Sequence, residues 1–513
     1  MTSEDNDLYG TVPEGEFYRR TGVRLTEDAV NEQRKKKIGN EEKVRPLLKY
    51  YHAFDKAHLV MLGEEDLIPP EDAAACLRVL RQMEAEGIEN VRTEGKHGMH
   101  SGEAHLIREL GESTGGHIHL GRSSGDLGVV AKRMQTREQL LELMAVVLEF
   151  RGTLLERAQE HVDTVIPGYT MYQHAQPTTF GHMLVWWENT MARHFVRLED
   201  AYDRTNRSPA GAAMLTGSNF QLDRERTAEL LGFDELIRNT MDATLGKDYG
   251  FDGYNALASI MATIGEMGYP LFFFNTYEFG LFDYPDRYCG TSSIFPQKKN
   301  PHVLMKPIGD IRKVFGDLCS HLVELRNLAG GGYCGGSASL GDLPENVERV
   351  IESVDVMERM VGAVEVDEQR ARELAGANWG QAADLAGAFV RECGCSWRTA
   401  HQIVGIIVRE GIEQDIHPEE LTTELIDEAA REYIGEPLEM DHSVVNRAMD
   451  PVSNVEARTL PGGPAPEEVT QQIQESERRM ESDRAVPREL RDDLEHADRE
   501  LEQSVDALIE RYG

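Results

Sequence analysis

Apolar residues in this chain recur at helical spacing over long stretches. From Thr136 onward, Leu140, Leu141, Met144, Val147, Leu148, Leu154 and Leu155 fall on one face of a 3.6-residue repeat. Thr136-Arg-Glu-Gln139 has the form of a capping box, which predicts a helix start there. Pro167-Gly168 stops the run after about 30 residues, roughly 45 Å of helix if unbroken. Similar segments cover about 178–206, 251–280 and 302–328, and Pro307 must kink the last or mark its true start. Helices this long exceed the globular mean of about 11 residues and predict an elongated bundle. Strand-like alternation is sparse, and there is no internal repeat or low-complexity linker. The expected fold class is all-α.

The pattern divides the chain into three parts. Residues 1–128 form an N-terminal part with loops around His100 and Arg122. Residues 129–375 form the long bundle and carry the 289–301 loop. Residues 376–513 form a smaller helical part, whose tail beyond Pro461-Gly-Gly-Pro-Ala-Pro466 reads as an amphipathic surface helix pair.

Composition narrows the function. No uninterrupted apolar run approaches the ~20 residues of a membrane span, and Met1-Thr-Ser-Glu-Asp-Asn-Asp is acidic, unlike a secretory leader. A soluble cytoplasmic protein is expected. Six cysteines in 513 residues are no disulfide framework, and Cys393-Gly-Cys395 reads as reduced thiols with too few companions for zinc, so no metal or cofactor is expected. The net charge of −36 repels nucleic acid and anionic membranes. The acidic excess is spread along the chain, and none of the 13 lysines lies beyond Lys313. Such a surface repels itself at ordinary salt, whereas at molar salt the Debye length falls to about 3 Å. A high-salt cytoplasm accounts for both features.

The run Cys289-Gly-Thr-Ser-Ser-Ile-Phe-Pro-Gln-Lys-Lys-Asn-Pro301 carries the candidate chemistry. Small residues let backbone N–H groups and a serine hydroxyl approach a ligand, while Lys298 and Asn300 add a charge and a neutral donor. That set suits a dicarboxylate whose negative charge grows during reaction. Composition alone fits an ordinary solvated loop equally well.

The residue order decides between them. The run resembles the GSSxMPxKxNP loop of the fumarase/aspartase superfamily, in particular its argininosuccinate lyase branch, with Thr291 extending it and Phe295 in place of Met. Ile166-Pro-Gly-Tyr-Thr-Met-Tyr-Gln-His-Ala-Gln-Pro177 resembles the PGYTHLQxAQP segment, and His119-Leu-Gly-Arg-Ser-Ser-Gly-Asp126 resembles HTGRSRND. Met99-His100-Ser-Gly-Glu103 resembles DIHTxxE. Ala383-Asp-Leu-Ala386 and Ala400-His-Gln-Ile-Val-Gly405 resemble pieces of the C-terminal domain, so the likeness runs from roughly Asp55 to Gln472.

The resemblance implies a lyase that removes a proton beside a carboxylate, forms an aci-carboxylate carbanion and expels fumarate. It places Ser292 at the catalytic serine, with Lys298 and Thr170 beside it in the catalytic set. His100, Ser123, Gln176 and Asn300 fall at substrate-binding positions. It also implies a homotetramer whose sites combine loops from three subunits, acting on a small dicarboxylate with no cofactor. Apart from the resemblance, Thr170 and Gln176 read as turn residues beside Pro167 and Pro177, and His100 as a half-buried structural histidine.

The departures are as informative. Met171 stands where the family has the histidine of its THLQ segment, and Met305 where it has the glutamate paired with that histidine, so a proton relay has become two thioethers. Losing both partners together reads as consistent repacking. Ser124 and Gly125 replace an arginine and an asparagine. The stretch that grips the guanidinium end in argininosuccinate lyases is unrecognisable in Gly330–Ser339, where only Tyr333 corresponds. The expected function is release of fumarate from an N-substituted aspartate, with argininosuccinate as the default substrate in arginine biosynthesis. The alternatives are a cycloisomerase or other carbanion chemistry on the same scaffold, or a non-catalytic crystallin-like oligomer.

Overall fold

The computed structural model describes residues 44–93, 98–325 and 338–513; the Gly330–Ser339 stretch and Tyr333 thus lie essentially outside the described side chains. The all-α expectation holds. Five helices build the central bundle: Ser124–Glu160, Phe180–Thr205, Asp248–Phe273, Met305–Leu325 and Ala338–Ala363. Their shared core includes Leu140, Met144, Phe150, Trp187, Leu257 and Met261, all fully buried. Burying each such side chain contributes roughly 1.5–3 kcal/mol, which is why the apolar stripe, not helix propensity, fixes these elements. β structure among the described residues is limited to short two-stranded ladders.

The long helix starts twelve residues before the expected Thr136 box. Ser123 is its N-cap: Ser123 Oγ accepts from Gly125 N at 3.0 Å, and Ser123 N donates to Asp126 Oδ2 at 2.8 Å, a complete capping box. Thr136 is buried within the helix. The helix runs through it because its neighbours are used in packing. Arg133 donates to the carbonyls of Arg204 and Thr205, closing the end of the Phe180–Thr205 helix, and Arg137 donates to those of Leu231 and Gly232, closing the end of Arg224–Leu230. Pro307 lies in the first turn of Met305–Leu325 and marks its start, where a missing N–H costs nothing.

Asp248–Phe273 is the one described helix long and apolar enough to cross a membrane. Leu257, Ile260, Met261, Ile264, Met267 and Leu271 all lie in the bundle core, which accounts for its composition.

A second core surrounds Leu48–Glu64 and Pro70–Glu86, and a third is made by Ala382–Cys393, Trp397–Gln414, Thr423–Ile434 and His442–Met449. The tail is not a helix pair. Pro466–Tyr512 is one continuous helix that leaves the third part, lays Val469, Ile473 and Met480 on the bundle and ends with Leu501, Val505 and Leu508 in the N-terminal core. Electrostatics fasten it midway. Fully buried Arg151 reaches Glu188 at 2.9 Å and Asp483 of the tail at 2.6 Å, while tail Arg479 reaches Glu188 at 2.8 Å.

The bundle sets where the loops sit. A 37-residue helix is about 55 Å long. The His100 and Ser123 loops precede its N-terminus; the 165–179 hairpin follows its C-terminus.

Candidate active site

The 289–301 run folds as a hairpin. Gly290 pairs with Asn300 and Thr291 with Lys299, and the Asn300 amide donates to Gly290 O at 3.3 Å. A Cβ on Gly290 would collide with the His302 ring, so this closure demands glycine. Inside the hairpin Ser292 Oγ accepts two backbone N–H bonds, from Ile294 at 3.2 Å and Phe295 at 3.0 Å. Two fixed donors on one hydroxyl oxygen favour its negative form. Lys298 N donates to Phe295 O at 3.0 Å, and the Lys298 side chain is exposed. Its neighbour Lys299 is tied back to Asp283 at 3.0 Å and Asp286 at 3.2 Å. Both lysines are exposed, and Lys299 is the one held in ion pairs.

Thr170 lies on a second hairpin, paired with Gln173. Its two tip residues, Met171 and Tyr172, have φ of +49° and +60°, a left-handed pair that normally requires glycine or asparagine. Such backbone costs of order 1–3 kcal/mol per residue and is held by its surroundings. Here Gln176 O accepts from Gly168 N at 3.2 Å, and His174 Nδ1 stands 3.3 Å from Ala377 O of the C-terminal part. Thr170 and the Gln176 side chain face solvent.

The third group lies at the other end of the long helix. Ser123 is spent on the cap, and its hydroxyl donates to Met214 Sδ at 3.6 Å. His100 precedes the helix Ser101–Leu110, with Nδ1 3.2 Å from Glu103 Oε2. His119 Nδ1 meets the same oxygen at 3.1 Å. Burial alone would raise the Glu103 carboxyl, but the two imidazoles hold it down to about 2. The signal for this cluster was legible as His-x-x-Glu spacing, one residue tighter than in DIHTxxE, yet nothing local indicated that His119 would join it.

Beneath these loops lies Asp55, 1% exposed. Arg92 Nη2 donates to Asp55 Oδ2 at 2.5 Å, and Arg122 Nη1 stands 2.7 Å from Oδ1, an ion pair off the hydrogen-bond angle. Gly102 is required here, since a Cβ would run into Asp55 and Arg92. One buried carboxylate thus anchors both the His100 and the Arg122 loops, a role sequence reasoning missed.

Met171 and Met305 are 92% and 57% exposed. The expected repacking is therefore absent within one chain. Among the described residues no hydrogen bond or ion pair joins Ser292, Lys298 or Asn300 to Thr170, Gln176 or Ser123.

Comparison with known proteins identifies the scaffold. The family model described as lyase matches residues 18–316, and that of the argininosuccinate lyase C-terminal region matches 379–456. The argininosuccinate lyase of Methanocaldococcus jannaschii is 36% identical over 429 residues, 83% of this chain and 87% of that one. The chain belongs to the argininosuccinate lyase family. It is thereby a carbon–nitrogen lyase of the fumarase/aspartase superfamily. The family's Methanosarcina acetivorans lyase is 35% identical over 457 residues, covering 88% of this chain and 92% of its own. Among solved structures, EDDS lyase in complex with formate is 29% identical with a TM-score of 0.83, over 92% of this chain and 95% of that one. The 3-carboxy-cis,cis-muconate lactonizing enzyme of Pseudomonas putida, at 19% identity and TM-score 0.65 over 86% and 95%, shares the fold.

Proposed function

We propose that this chain eliminates fumarate from an N-substituted aspartate, with argininosuccinate as the default substrate and arginine biosynthesis as its setting. Ser292 takes the proton beside the carboxylate, the electron pair delocalises into the aci-carboxylate, and the C–N bond breaks to leave fumarate and the amine. Lys298 and Asn300 hold the growing dianion, and Thr170 completes the catalytic set. His100, Ser123 and Gln176 line the substrate. The observation carrying this reading is the pair of N–H donors on Ser292 Oγ: a free serine is far too weak a base at neutral pH, and two fixed dipoles favour its alkoxide.

Absorbance screening for fumarate across a panel of N-substituted aspartates, in molar potassium chloride, tests it. At least one member is expected to turn over, and Lys298→Met to slow it by about 10²–10³ by removing one stabilising charge. A panel without turnover defeats the reading. Met171 and Met305 at the relay positions favour the second reading, a retired lyase that keeps only the assembly.

The active unit is a homotetramer with sites shared between subunits. Loops at opposite ends of a helix about 55 Å long cannot meet within one chain. A groove of about 1090 Å³, lined by Met171, Tyr172, Trp186, Tyr269 and Phe273 among others, leaves apolar surface for another copy to cover. The charge of −36 per subunit fits a high-salt cytoplasm. Light scattering in molar potassium chloride is expected to give four times the 57.6 kDa subunit mass, with unfolding midpoints rising as salt is added. A monodisperse monomer, or a falling midpoint, contradicts this.

A further inference from the structure

The Glu103 side chain is 4% exposed, and its Oε2 is approached by two imidazoles, His100 Nδ1 at 3.2 Å and His119 Nδ1 at 3.1 Å. The two rings are nearly parallel, 22° apart with centroids at 5.8 Å. All three candidate ligand atoms lie within 4.8 Å of one another. The cluster is braced from below. Arg92, held by Asp55, donates to Ser101 Oγ at 3.4 Å, between His100 and Glu103 in the chain. His119 arrives from a separate element, the 3-10 turn Gly116–His119.

We propose that His100, Glu103 and His119 form a binding site for one divalent transition-metal ion of the zinc or cobalt type. Two imidazoles and one carboxylate are the donor set such borderline ions prefer over magnesium or calcium, which take oxygen. A tetrahedral ion with bonds of about 2.0–2.1 Å sets its ligand atoms roughly 3.3 Å apart. Both nitrogen–oxygen spacings lie close to that, and the ligand nitrogens stand within 4.8 Å of each other, so binding draws the two rings together. Three protein ligands leave a fourth position for water or a carboxylate oxygen, and His119, 41% exposed, borders solvent on that side. The buried Glu103 carboxylate supplies the negative charge that offsets part of the cation's.

The full chain, stripped with a chelator and kept in molar potassium chloride, is titrated with cobalt(II) chloride alone. One equivalent per subunit is expected, with the visible d–d bands of tetrahedral cobalt, and zinc chloride should displace them. Glu103→Gln is expected to abolish the bands. His119→Ala should weaken binding by more than about 100-fold, beyond the loss that outer partners alone cause. Should Glu103→Gln fail to fold, the half-exposed His119→Ala decides the matter. Absence of saturable binding, or an affinity that His119→Ala leaves unchanged, overturns the site. The readout is metal binding, so it stands or falls apart from fumarate release.

Discussion

Ser292→Ala is expected to reduce fumarate release by about 10³–10⁴-fold or more while leaving the assembly intact. The change removes the group proposed as the base, the hydroxyl oxygen that accepts from Ile294 and Phe295. Structurally it removes little, because the N–H groups of Ile294 and Phe295 that Ser292 Oγ accepts lie in exposed residues and water replaces the hydroxyl. An exposed neutral hydrogen bond contributes about 0.5–1.5 kcal/mol at most. Rate and fold should therefore separate: initial rates collapse, whereas light scattering and the unfolding midpoint match the parent. If Ser292→Ala retains the parent rate, the assignment of the base is wrong.

Asp55→Ala should be the most damaging single change to stability. It strands the guanidinium groups of Arg92 and Arg122, whose side chains are 0% and 1% exposed, without their carboxylate. Breaking a buried pair in this way costs about 3–5 kcal/mol. Because Asp55 anchors the His100 and Arg122 loops together, the same variant should lose cobalt binding. The acid limb carries a second signature. Desolvation pushes the Asp55 carboxyl up, but Arg122 and Arg92 outweigh it and hold it below its ordinary value. A depressed folded value means the contribution is complete above the unfolded pKa of about 3.9 and is lost as pH falls through the folded value. Glu103, held at about 2, acts in the same direction. Unfolding midpoints of the parent should fall steeply between about pH 4.5 and 2, and Asp55→Asn should flatten that slope. A midpoint for Asp55→Ala equal to the parent's, or an unchanged acid slope in Asp55→Asn, would sink this account.

Much of the molecule was legible in the chain because it rests on periodicity. The stripe from Leu140 to Leu155 sits in the bundle core because helical spacing alone puts those side chains on one face. The Pro307 start was legible because proline acts on its own backbone, whereas the long helix ends at Glu160, seven residues before the expected Pro167-Gly168 stop. The ordered motifs identified the family for the same reason: they are local strings. What the sequence could not decide is whatever depends on a distant partner. The Thr136 box looks like a helix start, yet Arg133 and Arg137 find carbonyls about 70–95 residues away and the helix runs on past it. The tail has the pattern of two surface helices, but Pro487 is carried inside one, because apolar residues on both sides of it find cores to enter. Asp55 reads as one more acid in an acidic chain until two arginines close on it. His119 gains its role only when a turn sixteen residues on folds back over Glu103. Local chemistry fixed the helices and the family, while the ion pairs, the anchoring of the loops and their separation to opposite ends of the bundle belong to the tertiary structure, where charges far apart in sequence share one low-dielectric interior.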